Sequence, residues 1–222
     1  MPAGLVVNPA SGKDIRRLTG KASVFDNREK LAIVKRALAG AVSGGLLRLY
    51  YMDDAHGIAH TAIAESALPR SIKVERIPTP KTSSALDTLA AAEAFSQTDC
   101  NVVMTLGGDG TNRAFVKGWR DANLIPLSTG TNNVFPVLEE ATIAGMALGL
   151  MSQGKRSISR FIQRRKVIEL DLGSETDIAL IDAVMTSDQF IGARALLDPS
   201  SLRAADRKST RLNSSHLVIS YA

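Results

Sequence analysis

Short apolar, β-branched runs alternate along this chain with longer segments whose apolar residues recur at helical spacing. Residues 4–7, 46–52, 72–77, 101–106 and 124–127 read as strands, and the run 101–106 is apolar enough for a buried parallel strand. Between and after them, 30–38, 56–67, 84–95, 112–119 and 139–151 carry the spacing of helices. Ser84 and Asp87 form an approximate capping box for the third of these helices. Such alternation predicts an α/β fold with a parallel sheet covered on both faces. The pattern changes after Gly154. Residues 166–172 and 177–186 are β-rich, with Gly173 and Ser174 in a turn between them. The expected division is an α/β domain over 1–153 and the start of a β-rich domain over 154–205.

Chemistry gathers where predicted strands end. Gly107-Gly108-Asp109-Gly110-Thr111 joins the 101–106 strand to a short helix for which Thr111 is the expected N-cap. Glycines let a ligand approach the backbone, and a helix N-terminus favours an anion, so the junction suits phosphate. A carboxylate at Asp109 repels phosphate unless it holds a metal ion or takes a proton from an attacking hydroxyl. A plain Gly-Asp-Gly turn is the competing account. Two further polar loops weigh against it. Asn8-Pro9-Ala10-Ser11-Gly12-Lys13 leaves the first strand and offers a hydroxyl, a bare backbone and a cation, without Walker A spacing. Ser128-Thr129-Gly130-Thr131-Asn132-Asn133 leaves the 124–127 strand, uncharged and crowded with short hydrogen-bonding groups suited to a ribose or an adenine edge. Loops at the carboxyl ends of parallel strands converge on the binding crevice.

The segments GLVVNPASGKDIRRL (4–18), GGDGTNRA (107–114) and PLSTGTNNVFP (126–136) resemble the family that unites NAD kinases with diacylglycerol and sphingosine kinases. The likeness is greatest to its ATP-NAD kinase-like branch, that of acetoin-catabolism protein X. It implies a Rossmann-like first domain and ATP-dependent transfer of a phosphoryl group to a hydroxyl, with NAD or a related molecule as acceptor. It also implies Asp109 at the catalytic centre and Mg2+ on the phosphates, with Asp109 as its protein ligand. Gly107, Gly108, Gly110 and Thr111 would cradle phosphate through their backbone. Asn8, Ser11, Gly12, Thr131, Asn132 and Asn133 would contact the nucleotide. ATP and inorganic polyphosphate both remain open as donor. In this family the acceptor lies between two domains, and Asp182 matches the acidic residue that helps to hold it.

Two positions depart from the family pattern. Ala114 stands where the lipid kinases carry Glu, which makes a diacylglycerol-type kinase the weaker alternative. Ile181 stands where NAD kinases carry the Asn that precedes their acidic residue, and it cannot hydrogen-bond a dinucleotide. Ile181 therefore keeps open a non-catalytic nucleotide-binding protein associated with acetoin catabolism.

Residues 206–216 resemble the in-frame translation of a sequencing-library adapter, and 206–222 are accordingly expected to lie outside the fold. On that expectation the β-rich domain is truncated and the chain by itself inactive. The formal charge is +5, of which the tail holds +2 through Arg207, Lys208 and Arg211 against Asp206. The remaining +3 gives no argument for nucleic acid. Lys155, Arg156, Arg160, Arg164, Arg165 and Lys166 form a run that reads as a solvated face. The single cysteine, Cys100, agrees with a reducing compartment, and no run is apolar enough to cross a bilayer. These features predict a cytoplasmic protein, whereas the resemblance implies small-molecule nucleotide substrates and leaves a homo-oligomer of the full-length protein open. His56 and His60, four apart on a predicted helix, lack a third ligand and read as surface histidines. Phe115 and Trp119 read as the core face of the short helix.

Overall fold

The computed structural model describes residues 1–12, 26–129, 133–154, 161–171, 173, 175–185, 203–204 and 217–218. Two compact units divide the chain, Met1–Arg164 and Arg165–Ala222. The first holds β1 (Ala3–Val7), α1 (Asn27–Ser43), β2 (Arg48–Met52), α2 (Ile58–Glu65), β3 (Lys73–Ile77), α3 (Ala85–Ser96), β4 (Val102–Gly107), α4 (Asp109–Gly118), β5 (Leu124–Ser128) and α5 (Ala141–Ser152). Its five strands pair in the order β3-β2-β1-β4-β5, all parallel. This is the doubly wound, Rossmann-like arrangement, and its strand order reverses between β1 and β4.

The period-2 geometry of a strand sends alternate β1 side chains to opposite layers. Ala3, Leu5 and Val7 enter a core with α1, α2 and α5, whereas Val6 faces Phe95 of α3 and Phe115 of α4. A Cβ at Gly4 would lie 2.7 Å from the Phe95 ring, so the absent side chain there makes room for the aromatic. Phe115 is fully buried, and the Trp119 ring packs 6.2 Å from it, in line with the core face read from their spacing. Pro126 is accommodated because β5 is the last strand of the sheet, where a missing N–H breaks no ladder on the inner side.

Several boundaries differ from the periodicity. The first helix spans Asn27–Ser43 rather than 30–38, because Asp26 caps it by accepting from Glu29 N and because Gly40 stays helical. Gly40 is tolerated there by contact: a Cβ on it would meet the backbone of Thr142 and Met146, so α1 and α5 cross with their backbones close together. His56 is in the turn before α2, not on the helix, and His60 Nδ1 lies 3.0 Å from the Tyr51 hydroxyl. Asp54 replaces a cap at Gly57, its buried carboxylate accepting from Ile58 N and Ala59 N at 3.0 and 2.9 Å. In the second unit β6 (Ile168–Asp171) and β7 (Thr176–Ala179) form an antiparallel pair. The expected strand 177–186 is broken by a bend at 180–181, and β8 (Val184–Met185) pairs instead with β9 (Arg203–Ala204) and β10 (Leu217–Val218). Leu217–Val218 belong to the segment that the sequence reading sets outside the fold; here they pair antiparallel with β8. No helix among the described residues is long and apolar enough to cross a membrane.

Cys100 is buried at the entry to β4, and burial pushes its thiol up to about 12 from an ordinary 9.0. The raised value means that the protonated thiol favours the folded state. That contribution is intact below the unfolded value near 9.0 and is lost as pH climbs from there to about 12. At pH 8 we therefore expect iodoacetamide to label Cys100 only as fast as the chain opens. Labelling of the native protein at the rate of a free thiol, read by mass spectrometry, would contradict this burial.

Candidate functional site

At the reversal between β1 and β4, the chain leaves the two adjacent strands towards opposite faces of the sheet, the place at which open parallel sheets of this order bind their ligands. Apart from Asp182, the candidate site residues that are described gather there. Asn8 continues the ladder, its N–H donating to Leu106 O at 3.0 Å. Its side chain does two things: Nδ2 donates to Thr111 Oγ1 at 2.8 Å, and Oδ1 accepts from Ala10 N at 2.9 Å. Ser11 donates its hydroxyl to Asn8 O at 2.7 Å and accepts from Thr129 Oγ1 at 3.0 Å. Gly12 has φ +74°, a left-handed conformation that favours glycine. Lys13, Gly130, Thr131 and Asn132 lie outside the described residues.

The Gly-Gly-Asp-Gly-Thr segment is a tighter structure than a loop. Gly107 ends β4, Gly108 is the N-cap of α4, and Asp109 is already helical, so Thr111 is not the cap. The reason is packing. A Cβ at Gly107 would collide with the Thr111 side chain, and one at Gly108 would lie 2.8 Å from Asn133 Oδ1, so strand and helix join with no residues to spare. Gly110 differs: a Cβ there meets nothing within 4 Å among the described residues. Beneath the junction, the fully buried Thr105 hydroxyl donates to Asn112 Oδ1 at 2.6 Å, and Asn112 Nδ2 donates to Gly108 O at 2.9 Å.

Asp109 is only 6% exposed. Its Oδ1 accepts from Phe135 N at 2.7 Å and from Val134 N at 3.2 Å, and Oδ2 accepts from Val134 N at 3.0 Å. Asn133 closes the same contact from the other side, its Nδ2 donating to Ser128 Oγ at 2.7 Å while its Oδ1 lies 3.4 Å from Asp109 N. Asp109 thus ties the start of α4 to the segment after β5. The three loops are joined pairwise, first to second by Asn8–Thr111, first to third by Ser11–Thr129, second to third by Asp109 and Asn133.

One contributor went unread in the sequence. Lys30 of α1 is fully buried, and its ammonium donates to the carbonyls of Asn8, Pro9 and Ser11 at 3.1, 2.8 and 2.6 Å. The available signal was a cation within an apolar stripe, since Lys30 shares the buried face with Ile33, Val34 and Ala37.

Asp182 lies in the second unit, exposed in the segment between β7 and β8, with Ile181 half-buried at the bend. Arg164, Arg165 and Lys166 of the basic run are exposed; Lys155, Arg156 and Arg160 lie outside the described residues. Among the described residues no group of three or more His, Cys, Asp or Glu side chains could hold a metal ion by itself. Mg2+ needs less than that where phosphates supply most of its ligands, and one carboxylate is then enough. Asp109, with a single N–H on Oδ2, fits that requirement.

Residues 4–155 match the ATP-NAD kinase N-terminal domain, and residues 166–209 match the acetoin catabolism protein X C-terminal domain. A curated relative, acetoin catabolism protein X of Cupriavidus necator, is 35% identical over 214 residues, covering 90% of this chain and 59% of the relative. The chain therefore spans about three fifths of that relative's length. No solved structure gives a significant match. With the family domain covering more than half of its length, over the same segment that builds the Rossmann-like sheet and the stitched loops, the chain belongs to the ATP-NAD kinase family.

Proposed function

We propose that this chain carries the nucleotide-binding part of an ATP-dependent kinase that phosphorylates a hydroxyl of a small molecule, NAD or a related acceptor. The observation that supports it best is the convergence of three loops, tied pairwise, at the strand-order reversal, with the Asp109 carboxylate among them. Such a reaction needs positioning and charge neutralisation more than covalent chemistry. In this reading the first turn of α4, open at Gly110, receives phosphate oxygens, and residues 8–12 border the same polyphosphate. The acceptor hydroxyl gives its proton to Asp109 as its oxygen bonds to the γ-phosphorus, and the bond from that phosphorus to the ADP oxygen breaks. Mg2+, when bound, would neutralise phosphate charge, with Asp109 as the protein carboxylate closest in kind to its needs. Asp182 would act on the acceptor.

A second reading has its own observation. Both oxygens of Asp109 already accept backbone N–H groups from Val134 and Phe135, which suits a structural tether in a protein that binds nucleotide without transferring phosphate. Binding and transfer must therefore be measured separately.

Gly110→Ala tests the nucleotide site itself. Among the described residues no atom opposes the new methyl, and alanine exceeds glycine in helix propensity by about 0.8–1.0 kcal/mol in a helix interior, so the fold should be kept or slightly firmer. A phosphate seated against this turn would meet the methyl. We expect the wild-type chain to bind Mg2+–ATP in calorimetry and Gly110→Ala to bind at least about tenfold more weakly without any fall in melting temperature. Equal affinity would remove phosphate from the N-terminus of α4.

A further inference from the structure

Lys30 is a fully buried lysine in the first turns of α1, and burial without partners is something lysine almost never shows. Side chains on a helix lean back towards its N-terminus, which carries the Lys30 ammonium under the loop that leaves β1. An ammonium is a donor only, and among the described residues three backbone carbonyls of residues 8–11 accept from Lys30: Asn8, Pro9 and Ser11. In a planar trans peptide the N–H points opposite to the C=O. Turning the Pro9 and Ser11 carbonyls towards Lys30 therefore turns the Ala10 and Gly12 N–H groups away from it. The Ala10 N–H is spent on Asn8 Oδ1; that of Gly12 follows a carbonyl held at 2.6 Å. Ser11, gripped by Lys30 through its carbonyl, also carries the hydroxyl bonded to Thr129, and Asn8 carries the amide bonded to Thr111. One side chain thus sets the shape of the first loop and, through it, the ties to the other two.

We propose that Lys30 is the positioning residue of a polyphosphate site: through its three carbonyl contacts it holds residues 8–12 in the form that turns the Gly12 N–H away from Lys30 and towards a triphosphate. The proposal rests on the nucleotide reading given above. Lys30 does not touch the ligand, because it is buried beneath the loop. Its effect should therefore scale with the phosphates of the ligand and spare the nucleoside, which distinguishes it from a lysine that merely fills space.

The test compares the 222-residue wild-type chain with Lys30→Met and Lys30→Arg, below the melting temperature of the weakest variant. Three probes are titrated separately: Mg2+–ATP, inorganic tripolyphosphate and adenosine. For Lys30→Met we expect affinity for ATP and tripolyphosphate to fall about ten- to a hundredfold, with adenosine changed by less than about threefold. Lys30→Arg keeps the charge but replaces a compact ammonium by a planar fork, and should lie between the two. An equal loss for all three probes, or no loss, would overturn the positioning role and leave Lys30 as a structural residue. If Lys30→Met does not fold, Lys30→Arg decides by the same ratio: weaker ATP with unchanged adenosine supports the role, and unchanged ATP overturns it. A wild-type chain that binds neither ATP nor tripolyphosphate would instead bring down the nucleotide reading itself.

Discussion

Asp109→Asn should lower turnover by about a hundred- to ten-thousand-fold in a chain extended to the length of its relatives, the usual range for losing a general base. Nucleotide should remain bound, since the phosphate cradle proposed here is backbone. The substitution also touches the fold. An asparagine keeps one oxygen to accept from Val134 N and Phe135 N but turns an NH2 group where Oδ1 or Oδ2 now accepts. Losing one charge-assisted hydrogen bond of this kind costs about 1.5–3 kcal/mol, so a lower melting temperature is expected as well. The two effects separate in measurement. A large drop in single-turnover rate with ATP affinity nearly kept identifies Asp109 with the transfer step. A variant that loses stability yet turns over at the wild-type rate would show Asp109 to be a tether, and the mechanism proposed here would be wrong.

Gly145→Val should be the most damaging single change away from the site. Even one methyl at Gly145 would overlap the Ala37 carbonyl, and the same helix meets α1 again where a Cβ at Gly149 would overlap Ala41 O. Because the opposing atoms are helix backbone, no rotamer change relieves the clash, and α5 must move off α1. Overpacking of a core costs about 1–3 kcal/mol and occasionally more. For a domain of this size each kcal/mol lowers the melting temperature by roughly 2–4 °C. Urea unfolding of Gly145→Ala and Gly145→Val should show a graded loss, larger for valine. An unchanged midpoint for both would mean that α1 and α5 do not cross as closely as described.

The parallel sheet was readable from periodicity because each strand and helix carries its own repeat, and a buried strand needs nothing distant to mark it. Val102 to Leu106 is apolar but for Thr105 and Leu5 to Val7 is apolar throughout, and they became the central strands β4 and β1. The family was readable too, from the segments that leave these strands. Helix boundaries were less so. Gly40 looks like a breaker in isolation, and only the α5 backbone pressed against it explains why helix continues through it. Thr111 has the chemistry of an N-cap, yet the strand-to-helix junction is so tight that Gly108 takes that place.

Within the candidate site, the sequence by itself determined which residue types meet: a carboxylate, hydroxyls, amides and glycines on loops that a parallel sheet must bring to one edge. Tertiary structure alone decided how they are used. Residues read as ligand contacts also stitch the loops together: Asn8 bonds to Thr111 and Ser11, Ser11 to Thr129, and Asn133 to Asp109 and Ser128. Asp109 reaches 25 residues along the chain to the Val134 N–H, a distance at which no local pattern can operate. Lys30 escaped notice because a helical repeat records only that a position faces inward. Whether a cation there finds carbonyls depends on the turn of another segment, 19 to 22 residues away, and that is set by packing rather than by spacing.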